Sequence, residues 1–439
     1  MSSPSIVQNQ PVTRPAVSDN YKWWVVFMLW FVCFFNYADR QALSSVLPLL
    51  KTEFKFDPVQ LGWLASAFAA IYAAGAPVAG LIADRIARKW LIVAACIVWS
   101  FFTLATAWSG GFMSLLTVRA LTGLGETFYF PAAMALISDY HSRRTRSRAM
   151  SWHQSAVYAG TILGSWIAAL LAERFGWRVP FLLFGPFGVL LAIVLSRSLR
   201  EPQRGAAEDA PPLGAPHGLS GGASVPISET LAIIFRTPAA LLLMAAFVCA
   251  NFVAVIFLTW TPLFLVEKFH YKIGAAGLTG TIFIHLASAV AVPMAGGLAD
   301  RLVRRFTTGR MALQCGGLLV GSIFVFMVAM TGNTTTLVVT MAFYGACKGF
   351  YDSGIFASLY DVIEPRARGT AAGVINAVGW FGGFVGPIAV GWLSKHGRHV
   401  AEIDNMSEAI ALCSLVYIVG AALVLSAMFF AKKQLSHKA

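Results

Sequence analysis

The apolar residues of this chain come in long runs separated by short charged or turn-rich segments. Each run is about 20 residues, the length that carries a helix across the hydrocarbon core of a bilayer. By that criterion the chain reads as about twelve spans. Those of the first half cover 23–49, 61–83, 90–108, 112–137, 150–171 and 179–195; those of the second cover 239–265, 275–298, 311–330, 337–360, 371–393 and 409–430. Between the two sets, the segment from Arg197 to Thr230 holds Pro202, Pro211, Pro212, Pro216 and Pro226 among many Gly, Ala and Ser residues. That composition cannot bury a core and reads as a linker. The pattern predicts an all-α integral membrane protein with twelve transmembrane helices in two pseudo-symmetric six-helix bundles. Its parts are a tail at 1–22, a bundle at 23–196, a linker at 197–235, a second bundle at 236–431 and a tail at 432–439.

Composition agrees. The chain is 57% hydrophobic and only 12% charged, about half the charge of an ordinary soluble domain, which argues against a soluble enzyme. A net charge of +13 would suggest nucleic acid in a soluble protein. Here the surplus lies in short loops: Arg85, Arg88 and Lys89; Arg143, Arg144, Arg146 and Arg148; Arg301, Arg304 and Arg305; Arg366 and Arg368; then Lys432 and Lys433 near the end. Basic residues close to span ends stay cytoplasmic, so both termini are expected in the cytoplasm and the protein in the cell (inner or plasma) membrane, as a monomer with no nucleic-acid partner. No cleaved signal is evident between Ser2 and Asn20. All six cysteines fall inside apolar runs without CxxC spacing, which points to neither disulfides nor zinc. HExxH and GxxxxGK[ST] are missing, and no catalytic residue, metal or cofactor is predicted.

An internal repeat stands out. The segment from Gly80 through Asp84, Arg85 and Arg88 to Lys89 is matched by that from Gly296 through Asp300, Arg301 and Arg304 to Arg305, 216 positions later. Nearly the same spacing relates Asn36 to Asn251. Duplication at this scale implies two parallel halves.

This duplicated GxxADRxxR[RK] element resembles the loop signature of the major facilitator superfamily, though Ala87 and Val303 stand where the family usually has Gly. The resemblance covers the whole chain and implies that family's fold and transport by alternating access. Gly80, Asp84, Arg85, Arg88, Asp300, Arg301 and Arg304 would form the cytoplasmic gate, the acids capping helix ends or pairing with arginines across the halves. Within the superfamily, the run from Asn36 to Gln41, the Arg119, Gly123, Gly125 and Glu126 set, the segments from Ile137 to Tyr140 and from Gly176 to Arg178, and the segment from Arg200 to Pro202 are similar to the Spinster-like branch. An Asp-Arg pair in span one with a Glu in span four also resembles proton-coupled organic-anion symporters of the sugar-acid type.

Six ionisable residues lie deep in apolar runs: Asp39, Glu126, Asp352, Arg40, Arg119 and Lys348. Each costs roughly 2.5–3.5 kcal/mol at mid-helix on insertion scales, so they require pairing or water. Rise per residue puts Arg40 roughly 26 Å and Arg119 roughly 20 Å from the inner face, neighbouring levels on spans one and four. Arg119 and Glu126 are two turns apart and share a face.

Asp39 and Glu126 are the expected proton carriers, since a carboxyl in such a cavity can load and release a proton. Arg40 would hold an anionic group or compensate Glu126. A static cluster that fixes helix packing is the alternative. Lys348 and Asp352 can pair along one face of span ten. Asn36, Tyr37, His153, Gln154, Tyr158, Asn251, His285 and Asn376 complete the expected substrate site with Arg40, Arg119, Lys348 and Asp352. The implied function is proton-coupled symport of a small organic anion such as a sugar acid. Two alternatives stay open: a Spinster-like carrier of lysolipid or another amphiphile, and a non-transporting receptor or scaffold on the same fold.

Overall fold

A computed structural model describes residues 19–83, 85–142, 145–202, 227–364 and 368–436, and among them there are helices and short connections but no strand. The first half contains α1 (Asp19–Phe54), α2 (Pro58–Ala83), α3 (Arg88–Thr106), α4 (Phe112–Thr127), α5 (Tyr129–Tyr140), α6 (Arg146–Phe175) and α7 (Val179–Ser198). The second contains α8 (Ile227–Phe235), α9 (Pro238–Phe269), α10 (Ile273–Val303), α11 (Gly309–Met330), α12 (Thr334–Asp352), α13 (Ile355–Val362), α14 (Arg368–His396) and α15 (Glu402–Ser436). Pro58 and Pro238 start α2 and α9 at the position where a missing N–H costs nothing. Gly176, with φ of 93°, ends α6 in a conformation that suits glycine.

Among the described residues ten helices are long and apolar enough to cross a membrane, counting α4 and α5 as one run. The expected first and tenth spans are not among the ten; each carries two ionisable residues inside its apolar run, Asp39 with Arg40 and Lys348 with Asp352. Large apolar side chains such as Phe101, Leu190, Val290 and Phe429 are more than half exposed, which in water would be an aggregation hazard but suits a surface solvated by lipid.

Two expected spans are broken. The run 112–137 divides at Phe128, where the Thr127 hydroxyl donates back to the Gly123 carbonyl and Pro131 lacks an N–H in the first turn of α5. The run 337–360 divides at Ser353 and Gly354. The breaks come within two residues of Glu126 and Asp352, each in the fourth span of its half. A third difference lies at 227–235, the end of the expected linker, which forms α8 and packs on α9 and α14. The rest of the linker falls largely outside the described residues.

In the first half α1 packs on α6, α2 on α4 and α3 on α7; in the second α11 and α9 pack on α15, α10 on α12, and α9 on α14. The halves meet along α2 with α14 and α6 with α10. Glycine permits the closest approaches: a Cβ on Gly164 would sit 2.3 Å from Ala38 Cα, and one on Gly382 would sit 2.2 Å from the Val248 carbonyl oxygen.

The contacts between halves are anchored at the end remote from the linker. There Lys51 of α1 pairs with Glu267 of α9 at 2.5 Å and with Glu402 of α15 at 3.0 Å. Lys395 pairs with Asp57 at 2.7 Å, and the Glu173 carboxylate accepts the Gly274 N–H at the start of α10 at 2.6 Å. Ser165 donates to the Gly277 carbonyl at 2.9 Å. Toward the linker, by contrast, Pro77 and Val78 of α2 are exposed and a Cβ on Gly373 of α14 would meet open space.

Candidate functional site

Where α1, α2, α4, α6, α9, α10, α12 and α14 converge lies a cavity of about 270 Å³. Arg40 of α1 and Glu126 of α4 form its central ion pair, the guanidinium donating to Glu126 Oε2 from Nη2 at 2.7 Å and from Nε at 3.2 Å. Arg40 Nη2 also reaches Asn36 Oδ1 at 3.5 Å, one turn earlier on α1. The guanidinium is sandwiched by rings: its carbon lies 4.6 Å from the centre of Tyr37, 4.4 Å from Phe68, and 5.3 Å from both Tyr72 and Trp380. Such contacts favour a cation held away from water.

Arg119 of α4 donates to the Arg40 carbonyl at 2.8 Å and lies 5.1 Å from the Phe68 ring. It is buried, its Nε has no hydrogen-bond partner, and it takes part in no ion pair among the described residues. It lines the cavity. A buried guanidinium without a carboxylate is costly unless an anion can approach it.

Asp39, adjacent to Arg40 in sequence, turns away toward α3, where the Thr103 hydroxyl donates to its Oδ2 at 3.3 Å. It too is in no ion pair among the described residues, and its Oδ1 lacks a partner. Glu126 Oε1 likewise has no donor in hydrogen-bond geometry. Both carboxyls thus lie one layer behind a cavity wall made by Arg40 and Arg119, each with an oxygen that is buried and unbonded. A proton would give such an oxygen a hydroxyl in place of an uncompensated lone pair.

The opposite wall carries Lys348 and Asp352, paired a turn apart on α12. Near them are His285, whose Nδ1–H donates to the Thr281 carbonyl at 2.9 Å, and Tyr158, whose ring is 6.4 Å from that of His285. Of the expected substrate residues, Tyr37, Arg40, Arg119, Gln154, Tyr158, Asn251, His285, Lys348 and Asp352 line the cavity. Asn36 stands behind Arg40. His153 is buried between helices and bonds the Tyr129 hydroxyl at 2.8 Å, away from the lining. Asn376 is also not in the lining. Phe68 and Tyr72, missed in the sequence, form the aromatic wall. Their spacing of four on α2 was the available signal.

The expected gate residues sit differently. Asp84 lies outside the described residues, as do the surroundings of Gly80, and Arg85 is exposed. Arg88 pairs with Asp139 inside its own half, while Glu201 caps α3 by accepting the N–H groups of Arg88 and Lys89 at 2.9 and 2.7 Å. Asp300 contacts Arg310, which grips Asp361 with both oxygens at 3.1 and 2.9 Å. These pairs lie within single halves; Arg301 and Arg304 are exposed.

A profile of the Major Facilitator Superfamily matches residues 29–387 and again 309–437. The chain belongs to the Major Facilitator Superfamily. It is therefore a multi-pass membrane transporter that binds small molecules, and not an enzyme. Superfamily members similar to it include a probable galactarate/D-glucarate transporter of Escherichia coli, 26% identical over 85% of this chain and 87% of its own. A probable chloroplastic anion transporter of Oryza sativa is 27% identical over 95% of this chain and 72% of its own. Protein spinster of Drosophila melanogaster is 26% identical over 80% of this chain and 58% of its own. Among solved superfamily structures, a bacterial homologue of the human lysosomal transporter Spinster, inward-facing and unoccupied, superposes with a TM-score of 0.84 at 20% identity, covering 95% of this chain and 99% of that one. At that identity the superposition speaks for the fold.

Proposed function

We propose that this superfamily member is a proton-coupled symporter of a small organic anion, working by alternating access through twelve spans in two six-helix bundles, with its basic loops and termini in the cytoplasm. The observation that carries the reading is the seat at the cavity wall: among the described residues, Arg119 has no carboxylate partner, and beside it Arg40 has Glu126 alone. When Glu126 takes a proton, Arg40 loses its counter-charge, and two adjacent guanidinium groups face the cavity. An incoming carboxylate can then be gripped bidentately. Release reverses the order: the proton leaves, Glu126 reclaims Arg40, and the anion is displaced. Gln154, Asn251 and Lys348 on the other walls suit hydroxyls or a second anionic group. The similarity to a probable galactarate/D-glucarate transporter and to a probable anion transporter supports the substrate class in this reading.

Cavity size favours a small polar substrate. At about 270 Å³ it sits at the lower end of ligand sites, roughly 300–1,000 Å³, leaving little room for an acyl chain.

The test is uptake into proteoliposomes under an imposed pH gradient, using labelled D-glucarate, D-galacturonate, phosphate and lysophosphatidylcholine. Gradient-driven uptake of one of the sugar acids, abolished by a protonophore, is expected. Movement of lysolipid alone, or of nothing by folded protein, would overturn the reading.

A further inference from the structure

A symporter must not cross the membrane carrying its proton without its substrate, because that slip dissipates the gradient. The arrangement around Arg40 contains a device against it. Of the groups packed on that guanidinium, Asn36 and Tyr37 belong to α1, Phe68 and Tyr72 to α2 and Glu126 to α4. Trp380 alone comes from the second half, on α14.

The position of Trp380 matters as much as its ring. It rests on Tyr72 with ring centres 4.9 Å apart and on Phe68 at 6.2 Å. From the remote end the α2–α14 seam is continuous through Gly391 against Pro58, Gly62 against Pro387, and Trp63 with Phe384. Below Tyr72 and Trp380, Pro77 and Val78 of α2 and Gly373 of α14 are exposed. Trp380 therefore sits where the two helices part, and it touches the residue that receives the substrate.

The strength of that touch depends on what else holds Arg40. A guanidinium neutralised by a carboxylate attracts a ring face weakly; one stripped of its counter-charge in a dry site attracts it strongly. Three conditions follow. With Glu126 ionised, Arg40 is satisfied within the first half. With Glu126 protonated and the cavity empty, Arg40 keeps only neutral partners, the Asn36 carboxamide and the rings, and Trp380 gains hold across the seam. With an anion seated on Arg40, the charge is again met and the ring is released. Asp39 faces α3, and Arg119 carries the same sign as Arg40, so neither supplies the missing negative charge directly.

We propose that Trp380 is a latch against slip, a positioning residue that clamps the second half onto Arg40 in the state that carries a proton but no anion. The proposal rests on Glu126 as the proton site, and it can be tested without knowing the substrate.

Purified protein is reconstituted with a pH-sensitive dye trapped inside, a potassium-valinomycin potential is imposed, and proton entry is followed with no organic anion present. Trp380→Leu is expected to raise the leak about thirtyfold over the native chain, the ratio that loss of one desolvated cation–π contact produces. Trp380→Phe, which keeps a ring face, is expected to stay within about twofold of native. Glu126→Gln combined with Trp380→Leu is expected to return to the native baseline. Trp380→Met serves in place of Leu if the latter does not fold.

A native-like leak in Trp380→Leu and Trp380→Met overturns the latch. So does a leak of equal size in Trp380→Phe, which would make bulk rather than the ring the cause. A leak that persists in the double variant removes Glu126 as its carrier and overturns the latch as stated. Failure of the symport reading looks different: a Glu126-dependent leak in Trp380→Leu would remain while no sugar acid is taken up by the native protein.

Discussion

Arg40 and Glu126 meet between two helices, whereas Lys348 and Asp352 stand a turn apart on one. Both acids lie within two residues of a break in their span, and both cations line the same cavity. What differs is what their pairing reports. The Lys348–Asp352 pair is held by its own helix and survives any rigid movement of α12. The Arg40–Glu126 contact measures how α1 sits on α4, and through the ring of Trp380 it also touches the other half. A protein that needs one site to sense charge and another to offer a fixed surface can build both from the same residue types, by choosing whether partners share an element.

That contrast can be broken in four ways. The largest effect is expected from Glu126→Gln: gradient-driven uptake of a sugar acid falls by about 100-fold or more while counterflow exchange stays within about threefold, since the amide keeps the shape and loses the proton. Equal loss in both assays would mean that Glu126 serves structure alone.

For the second half, Lys348→Met and Asp352→Asn are each expected to raise KM about tenfold by stranding a charge, and the double variant to recover to within about threefold. Additive losses in KM would show that the two residues act independently.

Packing sharpens the comparison further. Gly164→Val and Gly382→Val push a side chain into Ala38 and into the Val248 carbonyl respectively. Each is expected to lower the melting temperature by about 5 °C or more, as for an overpacked core, read by thermal unfolding in detergent. If only one does, the two halves tolerate strain unequally.

The smallest effect concerns Asp57 at the remote end. Burial works against its charge, but the Lys395 ammonium and the Gln60 N–H outweigh it and hold the carboxyl below the usual range. A group whose folded value is depressed contributes stability above its unfolded value and loses it as pH falls through the folded one. Asp57→Asn should therefore melt about 1–2 °C below the native chain at pH 7, a partly exposed pair being worth little, and the gap should narrow as pH falls below the free carboxyl value of about 3.9. A gap independent of pH would assign the loss to packing.

The spans were legible because a run of some twenty apolar residues has few other uses, and the deep charges were legible because each is expensive where it stands. Arg40, Arg119, Glu126, Lys348 and Asp352 were recognisable on that ground alone. Other features needed the third dimension. Asp39 precedes Arg40 by one residue yet faces Thr103 on another helix, since successive helical residues point about 100° apart. His153 looked available until Tyr129 was seen to hold it. Phe68 and Tyr72 were hidden by company: 13% of the chain is aromatic, and nothing local separates rings that face lipid from rings that face a guanidinium. The breaks at Phe128 and at Ser353 and Gly354 were drawn as unbroken helix because hydropathy is continuous across them.

The seal at the end remote from the linker is ionic. Lys51 with Glu267 and Glu402, Lys395 with Asp57, and Glu173 on the α10 N-terminus hold the halves together there. Ions dissolved in the water on that face weaken such attractions, while leaving the oily seam below untouched. Under the alternating access proposed above, how readily the molecule yawns toward that compartment would be set in part by the brine it meets, and dilute surroundings would keep it shut longer than salty ones.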